Sequence, residues 1–392
     1  MVELVPIPSS GAFVASATEF TTIFDSSGRP TKVFLWVGSR AFDVTSLFEE
    51  RGWRIEVEGF IVDLWQWFER GVPAAFRVAR SIDEYAHRVL GWGLERVRGR
   101  NLLIAFSGGK DSTASVLVAR KALDASKLFV VYIHMPFLEP VKCFDEARHI
   151  ARLLGVELEV LEPSRRVVLR YLMNEGLPYR GRRWCTYLKT RPMRVFAKSR
   201  GVEYAVVGDR IWETVKRFRR LAPLVLSKNI VKKRTVYLVA PLTIIDVVNA
   251  CRSIGYVHRH YLEGATRVSC IFCPYKSAYE LRLDLGEVED PGLIDDVLRR
   301  EWRRWYRDRV DLETFVEEHL WRYKPRNAEM FAKLKSYVLR LADREGFEEW
   351  KVDDFAKLFR SVWVEDLSTY VVKDPIEEIE KVFRVLGEAI RG

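Results

Sequence analysis

Short apolar runs alternate with stretches of helical spacing between residues 101 and about 275. We predict strands at 102–106, 128–134, 157–161 and 204–207, and helices from about 111, at 144–154 and at 190–199. Strands that are apolar throughout are typical of a sheet that is buried on both faces. This β-α-β order therefore predicts an α/β fold in which a parallel sheet carries helices on both faces.

The flanking parts of the chain have different patterns. Strands at 12–24 and 31–37 around a turn at 25–30, a short helix at 46–51 and a strand at 53–62 predict a small α+β module over 1–75. A connecting helix occupies 76–99, with its pattern clearest at 81–98. The α/β domain spans 100–280, and helical spacing predicts a C-terminal helical region over 281–392.

Composition favours an intracellular protein. The longest apolar runs, such as 128–133, are too short to span a bilayer, and no basic segment precedes an apolar stretch at the N-terminus. Five cysteines in 392 residues do not form a disulfide framework, so we predict a cytoplasmic location with reduced thiols. One Gln and five Asn against 30% charged residues indicate a thermophile, a class in which intracellular disulfides also occur.

The net charge of +10 suggests a polyanionic partner or, equally, a Lys- and Arg-rich thermophilic surface. Residues 210–234 contain nine Lys or Arg and one acid, and residues 299–309 contain six Arg among three aromatics. Arginine beside aromatic rings suits phosphate contact and base stacking, which makes tRNA or another RNA a candidate partner. The alternative for the second segment is an amphipathic helix, and we expect Trp302 and Trp305 to be buried there.

A polar turn, S-G-G-K-D-S, separates the first predicted strand from its helix. Glycines permit a close backbone approach, and a helix N-terminus favours an anion. A lysine and two hydroxyls add charge and hydrogen bonds. The turn therefore predicts a phosphate cradle, although its spacing differs from that of the Walker A loop. Its candidate residues are Ser107, Gly108, Gly109, Lys110, Asp111 and Ser112.

S-G-G-K-D-S resembles the signature of the PP-loop group of adenine nucleotide enzymes. The stretches R-R-W-C-T-Y-L-K-T-R-P-M at 182–193, V-G-D-R-I-W-E-T-V-K-R at 207–217 and Y-L-E-G-A-T-R-V-S-C-I-F-C-P-Y at 261–275 resemble the phosphoadenosine phosphosulfate (PAPS) reductase family. The resemblance covers about 100–280. It implies a PP-loop, adenine nucleotide alpha-hydrolase-like fold and adds Lys189, Arg210 and Arg217 to the nucleotide-binding set. Each of the three suits sulfate or phosphate oxygens, and each alternatively is a solvated surface cation.

Three cysteines match family members that carry a [4Fe–4S] cluster: Cys185, Cys270 and Cys273. Trp184 stands where a fourth cysteine is expected, and Cys143 or Cys251 are alternative ligands. An iron with an open site is a further alternative. Zinc held by His258, His260, Cys270 and Cys273 is a rival, as are a disulfide and unligated thiols. Cys251 lies in an apolar helical stretch and is expected in the core.

Two departures from the family affect the expected reaction. Its reductases use a cysteine near the C-terminus, whereas the last 119 residues here (392 − 273) contain none. A nucleophile would then come from Cys143, Cys185, Cys251 or a partner protein. H-M-P-F-L-E-P follows the second predicted strand in place of the usual Asp-Thr-Gly type of turn, so specificity for the sugar and base is expected to differ. His134 there is a candidate ligand or acid–base group, or a structural histidine.

Three functions remain open at this point. The leading one is ATP-dependent adenylation followed by sulfur transfer, with Lys110 and Asp111 as catalytic residues, RNA as a candidate acceptor and Mg²⁺ as cofactor. Asp111 is a candidate Mg²⁺ ligand or only a helix cap. The second is an adenylyl-sulfate or PAPS reductase with a relocated or borrowed cysteine. The third is a nucleotide- or RNA-binding protein without catalysis. A homo-oligomer is compatible with each.

Overall fold

The computed structural model describes residues 3–64, 81–123, 127–284, 287–370, 379–380 and 384. The predicted module at 1–75, the connecting helix at 76–99 and the C-terminal region therefore lie partly outside the described residues. No helix among the described residues is long and apolar enough to cross a membrane.

The N-terminal part forms an antiparallel sheet and a separate hairpin. Its elements are β1 (Val5–Ile7), β2 (Ala12–Ala17), β3 (Phe20–Phe24), β4 (Pro30–Val37), β5 (Arg40–Asp43), α1 (Thr45–Glu49), β6 (Arg54–Val57) and β7 (Phe60–Asp63). The strands predicted at 12–24 and 53–62 are each two strands. Thr18 has a φ of 51°, and Glu58 and Gly59 have φ of 47° and 81°, so the chain reverses within each apolar run.

A short connection leads to the central sheet. Helix α2 (Ile82–Leu90) begins at a Ser81 capping box and is followed by a 3₁₀ turn at Leu94–Arg96. The helix predicted at 81–98 ends early because Gly91 forms its C-cap and Gly93, with a φ of 83°, takes the left-handed conformation.

The central sheet and its helices confirm the predicted α/β fold. Its elements are β8 (Leu102–Ala105), α3 (Lys110–Ala122), β9 (Leu128–Ile133), α4 (Val141–Leu153), β10 (Leu158–Leu161), α5 (Arg165–Glu175), α6 (Trp184–Ser199), β11 (Tyr204–Val206), α7 (Val215–Leu226), β12 (Val231–Lys232), β13 (Thr235–Val236), α8 (Ile244–Arg252) and α9 (Arg259–Leu262). The strand order is β10-β9-β8-β11-β13-β12, and only the β12–β13 pair is antiparallel.

The C-terminal region is helical as predicted, with one added strand. Its elements are α10 (Ala278–Asp284), α11 (Pro291–Trp305), α12 (Leu312–Glu317), a 3₁₀ turn at Leu320–Arg322, α13 (Pro325–Glu345), β14 (Glu349–Lys351) and α14 (Val352–Val364). Strand β14 pairs with β5 and extends the N-terminal sheet. The sequence pattern missed β14 because three residues are too few to show an alternation.

The order of strands in the central sheet places the site. From β8 the chain moves to β9 and β10 on one side, and later returns to β11 on the other side. The connections leaving β8 and β11 therefore diverge at the carboxyl ends of two neighbouring strands. This is the topological switch point at which open α/β sheets bind ligands.

Candidate functional site

The S-G-G-K-D-S turn lies at this switch point, between β8 and α3. Gly108 has a φ of 72°, and a Cβ there would lie 3.1 Å from the Ala147 Cα of α4. The Ser107 hydroxyl accepts a hydrogen bond from the Gly109 amide at 3.3 Å, and the Ser112 hydroxyl donates to the Gly109 carbonyl at 2.9 Å. The turn is therefore a folded loop whose shape depends on glycine, as a phosphate cradle requires.

The side chain of Lys110, within this turn, is buried. Its ammonium donates to the Thr266 carbonyl at 3.1 Å and lies 3.5 Å from Glu3 and 3.6 Å from Asp111. Burial alone would lower the pKa of Lys110, but the carboxylates of Asp111 and Glu3 outweigh burial and raise the pKa. The ammonium is therefore charged, and it stands at the N-terminus of α3.

Arg210 is the second fully buried cation of the site. Its Nε donates to Asp111 Oδ1 at 2.5 Å, and its terminal nitrogen pairs with Glu3. Burial would raise the pKa of Asp111, but Arg210 and Lys110 lower it. Asp111 therefore holds both cations, and its use as a Mg²⁺ ligand stays a prediction.

Arg217 lies at the edge of this group, with about a third of its side chain exposed. It pairs with Asp209 at 3.0 Å and with Glu213. Gly208, in the same connection after β11, packs against Asp111, where an added Cβ would meet the Asp111 backbone at 3.3 Å. The structure thus brings together the connections after β8 and β11, which both carry residues predicted to bind the nucleotide.

Lys189 does not join this group of cations. Its ammonium, on α6, donates to the Cys270 sulfur at 3.1 Å. Burial would lower the pKa of Lys189, but the nearby Cys270 and Glu139 raise it. The structure therefore places this predicted nucleotide ligand beside the cysteine loop.

The three candidate metal-binding cysteines lie near one another but do not form a ligand group. The Cys273 amide donates to the Cys270 carbonyl at 3.2 Å. Burial raises the pKa of Cys270 to about 11, against the influence of Lys189, and burial together with Cys273 raises the pKa of Cys185. In the part of the chain that the structure describes, no three or more His, Cys, Asp or Glu side chains are arranged to hold a metal ion. The [4Fe–4S] cluster stays a prediction.

The other candidates for such a site have different contacts. The Trp184 indole donates to the Gly176 carbonyl at 3.1 Å and stacks on Tyr171. His260 Nδ1 lies 3.8 Å from the Cys143 sulfur, and His258 Nδ1 lies 4.0 Å from Glu146. The two histidines thus face Cys143 and Glu146, so the structure offers no support for the zinc alternative.

His134 lies beside a carboxylate. Its Nδ1 is 3.4 Å from Glu139 Oε2. The Glu139 contact raises the pKa of His134.

Sequence reasoning missed several residues of the site. The Tyr261 hydroxyl accepts from the Lys110 amide at 2.9 Å, and the Cys251 thiol, buried in the core as expected, donates to the Lys110 carbonyl at 3.7 Å. Tyr261 opens the third stretch that carries the family resemblance, which was an available signal. Glu3 lies far outside that region, and no sequence pattern pointed to it.

The arginine-rich segment at 299–309 is only partly buried. Tyr306 is buried, and the Trp302 indole is partly buried and donates to the Val310 carbonyl at 2.8 Å. Trp305, however, is 58% exposed, so the expectation that it is buried is wrong. Trp305 lies on the same helical face as the buried Ile294 and Glu301, but it is the last residue of α11 and extends past the packed part of that face. The Arg304 guanidinium lies 5.0 Å from its ring centre.

Two relatives and two solved structures are similar to parts of the chain. The uncharacterized proteins MJ0973 and MJ0066 of Methanocaldococcus jannaschii are 26% and 24% identical over 46% and 62% of this chain. The chain covers 43% and 50% of these relatives, so it matches about half of their length or less.

The two solved structures are an NH3-dependent NAD synthetase from Campylobacter jejuni and an NMN synthetase from Francisella tularensis. Their TM-scores are 0.32 and 0.31, with 12% and 10% identity. The matched region covers 57% and 46% of this chain, and 94% and 74% of the two synthetase chains, respectively. TM-scores this low carry no argument about this protein.

Residues 101–247 match the family model of the phosphoadenosine phosphosulfate reductase domain. The match contains the S-G-G-K-D-S turn, Cys185, Lys189, Arg210 and Arg217, and it ends before Cys270 and Cys273. The matched segment is also the one that builds the parallel sheet and its switch point. Residues 101–247 are therefore similar to a phosphoadenosine phosphosulfate reductase domain.

Proposed function

We propose that this protein binds ATP with Mg²⁺ at residues 107–112, adenylates an acceptor oxygen and prepares the acceptor for sulfur transfer. The observation that carries the proposal is the S-G-G-K-D-S turn at the switch point, with the two buried cations Lys110 and Arg210. Two buried cations at a helix N-terminus form a site suited to a polyphosphate.

In the first step the acceptor oxygen attacks the α-phosphorus of ATP. The bond from this phosphorus to the bridging oxygen breaks, and pyrophosphate leaves with the electron pair. Lys110 and Arg210 stabilise the negative charge that develops on the phosphate oxygens, and the folded loop holds the nucleotide in place. Mg²⁺ enters as part of the ATP complex, since it commonly binds through substrate phosphates.

In the second step a sulfur nucleophile replaces AMP on the acceptor. Hydrosulfide forms the new carbon–sulfur bond, and the carbon–oxygen bond breaks as AMP leaves with the electron pair. This step does not use the predicted iron–sulfur cluster, because no three possible ligands are grouped to hold a metal among the described residues. The sulfur donor is therefore specified only by its chemical class.

RNA is the proposed acceptor. The support is the net charge of +10, the nine cations in 210–234 and the arginines around the exposed Trp305. Such surfaces suit phosphate contacts and base stacking.

The family match favours a second candidate function, the reduction of adenylyl sulfate or PAPS. That reaction requires a thiolate. Burial raises the pKa of Cys143 and of Cys251, and both side chains are almost fully buried. Cys185 is half-buried and is the remaining candidate named for this role, apart from a partner protein. The raised thiol pKa values of Cys143, Cys185 and Cys251 make the reductase the weaker candidate.

Product analysis on anaerobically purified protein tests the proposal. One sample receives ATP, Mg²⁺ and total RNA, and another receives adenylyl sulfate or PAPS with a thiol. We expect AMP and pyrophosphate in the first and no sulfite in the second. Lys110→Ala should lose at least about 100-fold in turnover, since charge-stabilising groups contribute on this scale. Lys121→Ala, which removes an exposed lysine from the same helix, is the control.

Two other results are informative. Formation of sulfite together with AMP or its 3′-phosphate would establish the reductase. It would also contradict the inference that the raised pKa values of the cysteines disfavour that reaction. ATP binding without any product would favour a nucleotide-binding protein without catalysis.

A further inference from the structure

An exposed aromatic ring lies close to two arginines, next to the cysteine loop. Tyr275 is 46% exposed. The Arg180 guanidinium lies 5.7 Å from its ring centre, and the Arg183 guanidinium lies 5.0 Å from it. We call these three residues the tyrosine–arginine platform. An exposed ring beside planar cations offers a π surface next to groups that bind phosphate.

Hydrogen bonds hold the backbone on both sides of Tyr275. Arg180 Nε donates to the Pro274 carbonyl at 2.8 Å, and an Arg322 nitrogen donates to the Lys276 carbonyl at 2.6 Å. The Arg180 amide in turn donates to the Arg322 carbonyl at 2.8 Å. An exposed ring that is fixed in this way loses little conformational freedom when a ligand binds.

The platform is connected to the nucleotide site by a short run of chain. The Thr266 carbonyl accepts from the Lys110 ammonium, and an added Cβ at Gly109 would lie 3.4 Å from Val268. Cys270 follows with Lys189 against it, and Tyr275 comes two residues after Cys273. Two residues span at most about 7 Å. A group that stacks on Tyr275 is therefore held beside the cysteine loop.

The surroundings of the platform suit a polyanion. Residues 180–194 contain five Arg and one Lys and no acidic residue. Stacking on an aromatic ring beside arginine is how single-stranded RNA is held without a defined sequence. Tyr and Arg are also enriched at protein–protein interfaces, but six cations without an acidic residue at 180–194 favour a polyanion over a protein.

We propose that the tyrosine–arginine platform binds an unpaired nucleobase of the RNA acceptor, with Arg183 contacting the adjacent phosphate. This inference rests on the proposed function, because it names where the RNA of that function binds. The assignment differs from the arginine-rich segment at 299–309, which carries its own exposed ring, Trp305.

Binding of a fluorescein-labelled 12-nucleotide single-stranded RNA, followed by anisotropy, tests the platform. Tyr275→Ala should weaken binding by about 5- to 100-fold, the range that loss of one stacked base gives. Tyr275→Phe keeps the ring and should bind within about 3-fold of the original protein. Arg183→Gln should reduce the slope of log affinity against log salt by about 0.7. Trp305→Ala is the control for the other segment and should leave affinity unchanged.

The outcomes separate this inference from the proposed function. ATP binding by calorimetry should be the same in Tyr275→Ala and the original protein, which also shows that the variant is folded. Equal RNA affinity of Tyr275→Ala and the original protein would overturn the inference, as would loss of binding only in Trp305→Ala. No RNA binding at all, or equally tight binding of polyglutamate, would also overturn it. Formation of AMP and pyrophosphate with a non-RNA acceptor would preserve the adenylation step in any of these cases.

Discussion

The Glu3 carboxylate lies 3.5 Å from the Lys110 ammonium and also pairs with the Arg210 guanidinium. An acidic residue near the start of the described chain thus contacts both buried cations of the candidate phosphate cradle. Lys110 and Arg210 with Asp111 carry a net charge of +1, and Glu3 neutralises it. A phosphate that uses the same two cations must therefore compete with Glu3.

We expect Glu3→Gln to bind pyrophosphate and ATP about 3- to 10-fold more tightly than the original protein, since a tethered competitor loses its charge. Calorimetric titration with inorganic pyrophosphate measures this without any turnover. Glu56→Gln, an exposed carboxylate elsewhere in the N-terminal part, serves as the control. Weaker binding in Glu3→Gln would instead show that Glu3 positions the cations for the ligand.

The conformation of Gly108 predicts a second effect. A Cβ at this position would lie 3.1 Å from the Ala147 backbone, and the φ of 72° is unfavourable for other residues. Gly108→Ala should therefore shift the loop against α4 and lower ATP affinity by about 10-fold or more. Gly255 has a similar φ of 75° but no atom within 4 Å of an added Cβ. Gly255→Ala should cost about 1 kcal/mol of stability and leave ATP affinity intact.

Glu19 anchors the N-terminal sheet to the C-terminal helices. It is fully buried and pairs with Arg322 and with Lys335. Burial alone would raise the pKa of Glu19, but the two cations lower it to about 2. The carboxylate therefore contributes stability that is present above its unfolded pKa of about 4.5 and is lost as pH falls through about 2.

Glu19→Gln should lower the free energy of unfolding by about 3–5 kcal/mol at pH 7, because the buried Arg322 loses its carboxylate and Lys335 keeps only that of Glu318. The difference from the original protein should shrink as the pH is lowered from 4.5 towards 2. Denaturant unfolding at pH 7 and pH 3 measures both effects. Glu348→Gln removes an exposed partner of Lys32 and should cost less than about 1 kcal/mol. An equal cost for the two variants would contradict the assignment.

Glu301 on α11 should give the stability of the fold a pH dependence opposite to that from Glu19. Burial raises its pKa to about 8, and its carboxyl group accepts from the Leu177 amide at 3.2 Å. The folded state binds the proton more tightly than the unfolded state, so stability is highest below about pH 4.5 and falls as pH rises through about 8.

Glu301→Gln keeps the shape and an acceptor but removes the charge. It should leave the melting temperature at pH 5 nearly unchanged and raise it at pH 9, by the equivalent of at most about 5 kcal/mol. Glu317→Gln, another glutamate of the C-terminal helices, is the control. A parallel pH dependence of the melting temperature in Glu301→Gln and the original protein would contradict a titrating Glu301.

Much of the central domain was predictable from local pattern. Apolar strands, helical spacing and the contiguous S-G-G-K-D-S turn led to the parallel sheet and to the phosphate cradle at the end of β8. The resemblance at 207–217 predicted that Arg210 lies near the turn, and the structure places it against Asp111. These features depend on residues that are close in sequence, or on a fold in which neighbouring strands have a regular order.

Contacts between distant parts of the chain could not be predicted in this way. The contact of Lys189 with Cys270 was not predicted, and Trp305 was expected to be buried but is exposed. The pairing of β14 with β5 had no signal, because a three-residue strand shows no periodicity. In each case a side chain or strand has several acceptable partners, and tertiary packing selects one of them.

The sequence by itself determined the class of the fold, the position of the candidate phosphate-binding turn and the basic character of the protein. Only the tertiary structure placed Glu3 against Lys110 and Arg210, and Tyr275 beside Arg180 and Arg183. The physical reason is that backbone periodicity and turn chemistry are local, whereas the partner of a buried charge or an exposed ring depends on which segments the whole fold brings together.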